Sequence, residues 1–270
     1  MNFIVTQLKN ENKRINEWIQ FHLKNGFDKI IIYLDYPEDG SDQTVKEISL
    51  NNNNVLYFNT IHNVPINTPY GTVYTGTKSY KSSNDYSGNS TVAYSLAYSY
   101  KRGLEYIKQN FEITENDWVA FIDVDEFIVK TGNMSLVDFL IKFENMDRFY
   151  ITSYDMKCPI DLNESVIKQS TYRWSDKTRN ESQFVSRGKM ISKVYNLEEI
   201  LCCHTLDSDI NKNVNKFTKT MSTGGNLVKE NHTNVVDFFH DQEYFKLFHY
   251  RNDGQFQKYD EYDDSALKQI

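Results

Sequence analysis

Residues 121–127 read FIDVDEF, two aspartates one residue apart inside an otherwise apolar run. If 118–129 (WVAFIDVDEFIV) is one strand, alternation turns Asp123 and Asp125 to one side and Val124 and Glu126 to the other. Two carboxylates that close raise each other's pKa unless a cation, a proton or a basic residue balances them. Hard oxygen ligands suit Mg2+ or Mn2+, and few protein ligands leave coordination positions for substrate phosphate oxygens. An isolated D-x-D is usually a solvated acidic turn after a strand. Here Phe121, Ile122, Phe127 and Ile128 flank it and argue against a freely exposed turn, which favours the metal reading.

A second acidic group, Asp35, Glu38, Asp39 and Asp42, follows the apolar run KIIIYL. A carboxylate there can accept hydrogen bonds from a ribose or a base. Turn formation and helix capping explain Asp39, Gly40 and Ser41 without any ligand, and Asp35 is the residue they explain least. His249 ends the run FKLF, close to Arg251, and is a candidate third metal ligand, although a lone histidine after a strand is more often a structural hydrogen-bonding residue. His204 is equally ambiguous, and the CCH at 202–204 lacks zinc-ligand spacing. Lys189 and Lys193 could reach phosphate, but solvated surface lysines are the better default. No glycine-rich phosphate loop and no G-x-S-x-G elbow occurs, so phosphate must be held by a metal or by side chains.

The elements that must position these residues alternate over the first half. Residues 3–8 and 29–34 read as strands covered on both faces, and 55–58 as a third strand. A helix between the first two carries Ile15, Trp18, Ile19, His22 and Leu23 at the helical period, with Asn10 able to cap it and Gly26 ending it. A second helix begins near Ser41, and a third spans about 91–109. Residues 60–88 show no sustained period and read as a long loop, a length often tied to function. Residues 149–156, 190–195 and 244–250 look like strands, while 164–188 and 207–232 look like polar excursions. Alternating strands and helices predict an α/β fold with a mostly parallel central sheet, whose sites lie at the carboxyl ends of the strands. Both acidic groups fall at such ends.

Composition narrows the function. With 37 acidic against 30 basic residues, the net charge of −7 has the wrong sign for broad phosphate neutralisation, so nucleic acid is not an expected partner. Three cysteines, an odd number, give no disulfide framework and fit a reducing compartment. No stretch reaches the roughly 18 apolar residues of a membrane span and the first residues lack a signal-peptide pattern, so a cytoplasmic protein without an integral membrane segment is expected. One domain over 1–270 is expected.

Taken in order, KNENKRINEWIQFHLKNGFDKIIIYLDYPEDGSD, WVAFIDVDEFIV and FHYRNDGQFQK resemble the landmarks of GT-A-fold glycosyltransferases, above all family 92 and glycosyltransferase family 2-like proteins. The resemblance spans residues 9–258. It implies a GT-A, Rossmann-like sheet, with 1–130 as the nucleotide-sugar-binding half and 131–270 as an irregular acceptor-side half. It further implies transfer of a sugar, with inversion, from a nucleoside diphosphate-sugar, a UDP-sugar above all, to a glycan or glycoconjugate hydroxyl, supported by Mn2+ or Mg2+. Carried over by position, Asn10, Glu11 and Asp35 lie around the nucleotide, Asp123 and Asp125 around the ribose and the metal, and His249 completes the metal site.

A glycosyl transfer also needs a base for the acceptor proton. Asp155, ending the run FYITSYD, is the first candidate, ahead of Asp176 and Glu181. Two rival functions stand beside it: a sugar-phosphate nucleotidyltransferase, which also uses paired carboxylates but ordinarily has a glycine-rich loop that TQLKNENKR lacks, and a non-catalytic glycan-binding protein, which the many tyrosines would suit.

Overall fold

A computed structural model describes residues 1–62, 64–68, 71–74, 91–156, 164–169, 172–173, 188–198, 220–222, 227–228, 244–250, 261–263 and 265–270. The first half runs β1 (Asn2–Leu8), α1 (Asn12–Lys24), β2 (Lys29–Leu34), α2 (Ser41–Asn51), β3 (Val55–Asn59), β4 (Pro65–Thr68), β5 (Gly71–Tyr74), α3 (Thr91–Asn110), β6 (Trp118–Phe121) and β7 (Glu126–Lys130). The second half runs α4 (Leu136–Lys142), β8 (Arg148–Ile151), β9 (Ser153–Asp155), α5 (Val166–Gln169), β10 (Tyr172–Arg173), β11 (Lys189–Lys193), β12 (Thr220–Ser222), β13 (Leu227–Val228), β14 (Phe245–His249) and β15 (Glu261–Tyr262).

The fold is α/β. A mixed, mostly parallel sheet of order β13-β12-β8-β11-β6-β1-β2-β3 is flanked by helices. Its apolar runs are continuous because both faces are covered. Along β1 and β2, Ile4, Leu8, Ile30, Ile32 and Leu34 pack on one side with Ile15, Trp18 and Ile19 of α1. Phe3, Val5, Ile31 and Tyr33 pack on the other with Tyr100, Leu104 and Ile107 of α3. Each such side chain contributes about 1.5–3 kcal/mol on burial. Gly103 sits where α3 crosses β1, and a Cβ there would stand 2.4 Å from Val5 Cγ1, so close approach explains a glycine inside a helix.

Strand order fixes where a ligand can sit. The chain steps from β1 through α1 to β2 and through α2 to β3, then crosses by α3 to place β6 on the other side of β1. The direction of winding therefore reverses between β1 and β6, and the crevice outside their carboxyl ends is the topological switch point. The segments around Asn10, Asp35, His62 and Asp123 all follow strands that end on this rim.

Four local expectations are corrected. Residues 118–129 are not one strand, because β6 belongs to the large sheet and β7 to a separate three-stranded sheet of order β7-β14-β9. Residues 149–156 likewise divide at Thr152 into β8 of the large sheet and β9 of the small one. The segment read as a long loop contains the antiparallel pair β4 and β5. Asn10 does not cap α1: Glu11 holds the N-cap position, and Asn10, at φ 55°, accepts a hydrogen bond from the Glu38 amide at 2.8 Å. Among the described residues no helix is long and apolar enough to cross a membrane.

His22 illustrates how α1 supports the site. Its Nδ1–H donates to the Trp18 carbonyl at 2.8 Å and its Nε2 accepts the Ile128 amide at 3.2 Å, a pairing only the neutral ring can make. Burial drives its pKa down to about 3. Because the folded value lies below the unfolded one of about 6.5, the stability this ring contributes is full above that pH and drains as pH falls toward 3. Urea denaturation at about pH 7.5 and about pH 5 should show a loss of about 2 kcal/mol from this group. His22→Gln should be weaker throughout yet lack that part of the slope. Equal slopes in both proteins would exclude His22 as the source.

Candidate active site

The aspartate pair lies in a turn. Between β6 and β7 the Glu126 amide donates to the Asp123 carbonyl at 3.0 Å, so DVDE is a β-turn, and the Glu126 carboxylate accepts the Asp123 amide at 2.9 Å. Glu126, expected on the opposite side from the aspartates, is thus folded into the same cluster and is only 2% exposed. Convergence comes from turn closure, not from strand alternation.

The small sheet brings the remaining groups. Its register aligns His249 of β14 with Glu126 of β7 on one side and with Asp155 of β9 on the other. His249 Nε2 lies 3.2 Å from Asp125 Oδ2, and its Nδ1 lies 3.3 Å from Asp155 Oδ1. The Tyr250 amide donates to the Asp125 carbonyl at 2.8 Å, closing β14 onto the turn. Helix α1 clamps both arms: the Trp18 indole donates to the Glu126 carbonyl at 2.7 Å, and buried Arg14 donates to the Tyr250 carbonyl at 2.7 Å.

From the large sheet, β11 runs antiparallel to β6 and so begins where β6 ends. Its first residue, Lys189, is 1% exposed, with its ammonium 2.7 Å from Asp123 Oδ2 and 3.3 Å from Glu126 Oε2. The solvated default therefore fails for Lys189. Lys193, at the far end of the strand, lies over the Trp118 ring and donates to the Glu144 carbonyl. Gly188 permits the approach of β11 to β8, since a Cβ there would lie 2.1 Å from the Ile151 carbonyl oxygen. Tyr100 of α3 donates its hydroxyl to Asp123 Oδ1 at 3.1 Å.

Charge follows this geometry. Burial disfavours an ionised Asp125, but His249 beside it outweighs that and holds its pKa at about 2. Burial likewise opposes the imidazolium of His249, yet Asp125 and Asp155 together push it up to about 10. Asp123, with 36% of its side chain exposed, is held below the usual carboxylate range by Lys189 despite desolvation. Burial raises Glu126, and raises Glu11 to about 7 against the pull of Arg14.

Two strands away along the same rim, Asp35 follows β2. Its amide donates to the Leu8 carbonyl at 2.8 Å, and its carboxylate pairs with His62 Nε2 at 2.5 Å. Tyr36, at φ 47° and 55% exposed, lies edge-on to the His62 ring. Asp39 and Ser41 serve the turn and the start of α1, not a side-chain cap of α2, whose N-cap is Gly40: Asp39 accepts the Asn12 and Ser41 amides, while the Ser41 hydroxyl accepts the Glu11 amide. Asp35 takes no part in these bonds. Asp176, Glu181, His204, Arg251 and the three cysteines lie outside the described residues.

Of the expected site residues, the structure gathers Asp123, Asp125, Asp155 and His249, with Glu11 near enough for Asp125 to raise its pKa. Asp35 stands on the neighbouring rim, two strands from β6. Sequence reasoning set Lys189 aside as a solvated lysine and missed Glu126, Tyr100, Arg14 and His62. Only Glu126 had a local signal, its place three residues after Asp123 in a turn.

Among the described residues no group of three His, Cys, Asp or Glu side chains stands ready to hold a metal ion. Asp123 faces Lys189 and Tyr100 instead. The pair Asp125 and His249 does fit: two ligands at right angles on an ion with bonds of about 2.1 Å stand about 3 Å apart, and these atoms are 3.2 Å apart. The carboxylate oxygen suits Mn2+ or Mg2+ and the imidazole nitrogen beside it favours Mn2+ over Mg2+, with Asp155 behind the ring as an orienting carboxylate. No protein-family model matches the chain, and comparison with curated proteins finds no match.

Proposed function

We propose that the chain is a GT-A-type glycosyltransferase that moves a sugar, with inversion, from a nucleoside diphosphate-sugar, a UDP-sugar above all, to a hydroxyl of a glycan or glycoconjugate. The observation that carries this reading is the meeting of the DVDE turn with His249 at the switch point between β1 and β6. Asp125 and His249 would hold Mn2+ or Mg2+. When bound, the cation supplies positive charge against the departing diphosphate. Asp35, beside His62 and the exposed ring of Tyr36, is suited to accept hydrogen bonds from the nucleoside, with Asn10 and Glu11 on the adjoining rim. Asp123 keeps an exposed edge toward the crevice for the ribose.

For Asp155 the geometry favours a different role from the one first expected. A base must reach the acceptor hydroxyl within about 3 Å. Asp155 is 2% exposed and lies against the inner nitrogen of His249, which suits orienting that ring. The acceptor-side base is to be sought elsewhere, and Asp176 and Glu181 keep their candidacy.

Thermal denaturation with a set of nucleoside diphosphates, with and without Mn2+, tests the reading. UDP should raise the melting temperature, Mn2+ should increase the shift, and Asp35→Ala should reduce the shift even without metal. If no nucleoside diphosphate stabilises the protein in either condition, the transferase reading fails. If Asp35→Ala loses the shift only with Mn2+ present, Asp35 belongs to the metal side of the site.

A further inference from the structure

Lys189 is buried at the site, carries a charge of the same sign as the proposed cation, and has no part in the mechanism above. Its ammonium lies against Asp123 and Glu126, and the other oxygen of Asp123 accepts from Tyr100, a fully buried residue. Both oxygens of Asp123 are thereby engaged by donors that carry no lone pair for a metal or are fixed in the core, whereas Asp125 Oδ2 is paired with His249 Nε2, a nitrogen that can become a ligand once it gives up its proton. We propose that Lys189 is a tethered counter-ion that withholds Asp123 from a divalent cation, leaving Asp125 and His249 to hold the ion and making its retention depend on donor phosphate oxygens. This rests on the transferase reading for the source of those oxygens.

The physical basis is competition between cations. An ammonium within hydrogen-bond reach of a carboxylate neutralises it and repels a second cation nearby, more strongly in a low-dielectric setting than in water. Lys189 cannot retreat easily, because its stem starts on a strand paired on both sides, β6 and β8, and Gly188 brings its backbone against β8. The consequence is regulatory. A site with two protein ligands and a built-in positive charge takes up the ion together with the nucleotide and releases it with the diphosphate product.

The test titrates Mn2+ into the full chain and into Lys189→Met, followed by electron paramagnetic resonance of free Mn2+, with and without UDP. The unsubstituted protein should bind Mn2+ weakly alone and about tenfold or more tightly with UDP. Lys189→Met, with Asp123 and Glu126 left unneutralised, should bind Mn2+ alone about tenfold more tightly than the parent and gain less from UDP. Unchanged or weaker Mn2+ affinity in folded Lys189→Met overturns the proposal, as does a loss of metal-free UDP affinity alone, which would make Lys189 a phosphate contact. If Lys189→Met does not fold, Tyr100→Phe decides: freeing Asp123 Oδ1 should tighten Mn2+ about threefold, and no change overturns the proposal. Absence of any coupling between UDP and Mn2+ in the unsubstituted protein would sink the transferase reading, while the UDP-free titrations still judge Lys189.

Discussion

Asp125→Asn is expected to weaken Mn2+-supported nucleotide binding by about a hundredfold or more while leaving the fold intact. Asparagine is nearly isosteric, and the backbone bonds of Asp125 survive, including the one its carbonyl accepts from the Tyr250 amide. What is lost is the carboxylate charge. In the free protein that charge is paired with His249, so the variant should also lower the basicity of the ring. Calorimetric titration of UDP at saturating Mn2+, beside a metal-free titration, isolates the effect. The metal-free affinity should change little. A folded Asp125→Asn protein with unaltered Mn2+-dependent affinity would remove Asp125 from the metal site.

Asp155→Asn is expected to weaken Mn2+ binding by about tenfold to a hundredfold, the usual effect of removing a carboxylate that orients a histidine ligand. The buried carboxylate faces His249 Nδ1, so its negative charge favours any cation on Nε2. It draws a divalent ion more strongly than a proton, because the attraction scales with charge, so its removal costs metal affinity even though it also eases loss of the competing proton. A general base in this position predicts the opposite pattern, unchanged donor and metal affinity with turnover cut by about a hundredfold. Measuring Mn2+ affinity and melting temperature on one preparation separates orientation from simple loss of stability. Unchanged Mn2+ affinity would return Asp155 to the acceptor side.

How far the sequence carries the fold depends on the range of the interaction. The two-sided burial of KIIIYL and the apolar period of α1 are local, and both appear as read. The position of Asp35 and Asp123 at strand ends follows from those elements and the winding rule. The DVDE turn is also local, but FIDVDEFIV is apolar enough to pass for one strand, and only the departure of β7 into a second sheet reveals the break. Lys189 was legible only as a possible phosphate contact. Its burial depends on β11 entering the large sheet antiparallel between β6 and β8, a pairing set by long-range contacts and by the glycine before it. His249 was legible as a candidate only, since its partners come from β7 and β9, both distant in sequence. Asp155 was legible as a residue but not in its surroundings, because a strand-end carboxylate looks alike in sequence whether it faces solvent or, as here, the back of an imidazole.

The central claim is that this crevice transfers sugar from a nucleotide with help from a divalent cation. Its most direct test is slow donor hydrolysis, followed as release of UDP from UDP-sugars by the purified chain with Mn2+ or with chelator. Release that needs Mn2+ and disappears in Asp125→Asn is the expected result. Release of pyrophosphate from a sugar phosphate and a nucleoside triphosphate would identify a nucleotidyltransferase instead, and UDP-sugar binding without any release, under conditions where Mn2+ is bound, would contradict the claim and leave a glycan- or nucleotide-binding protein.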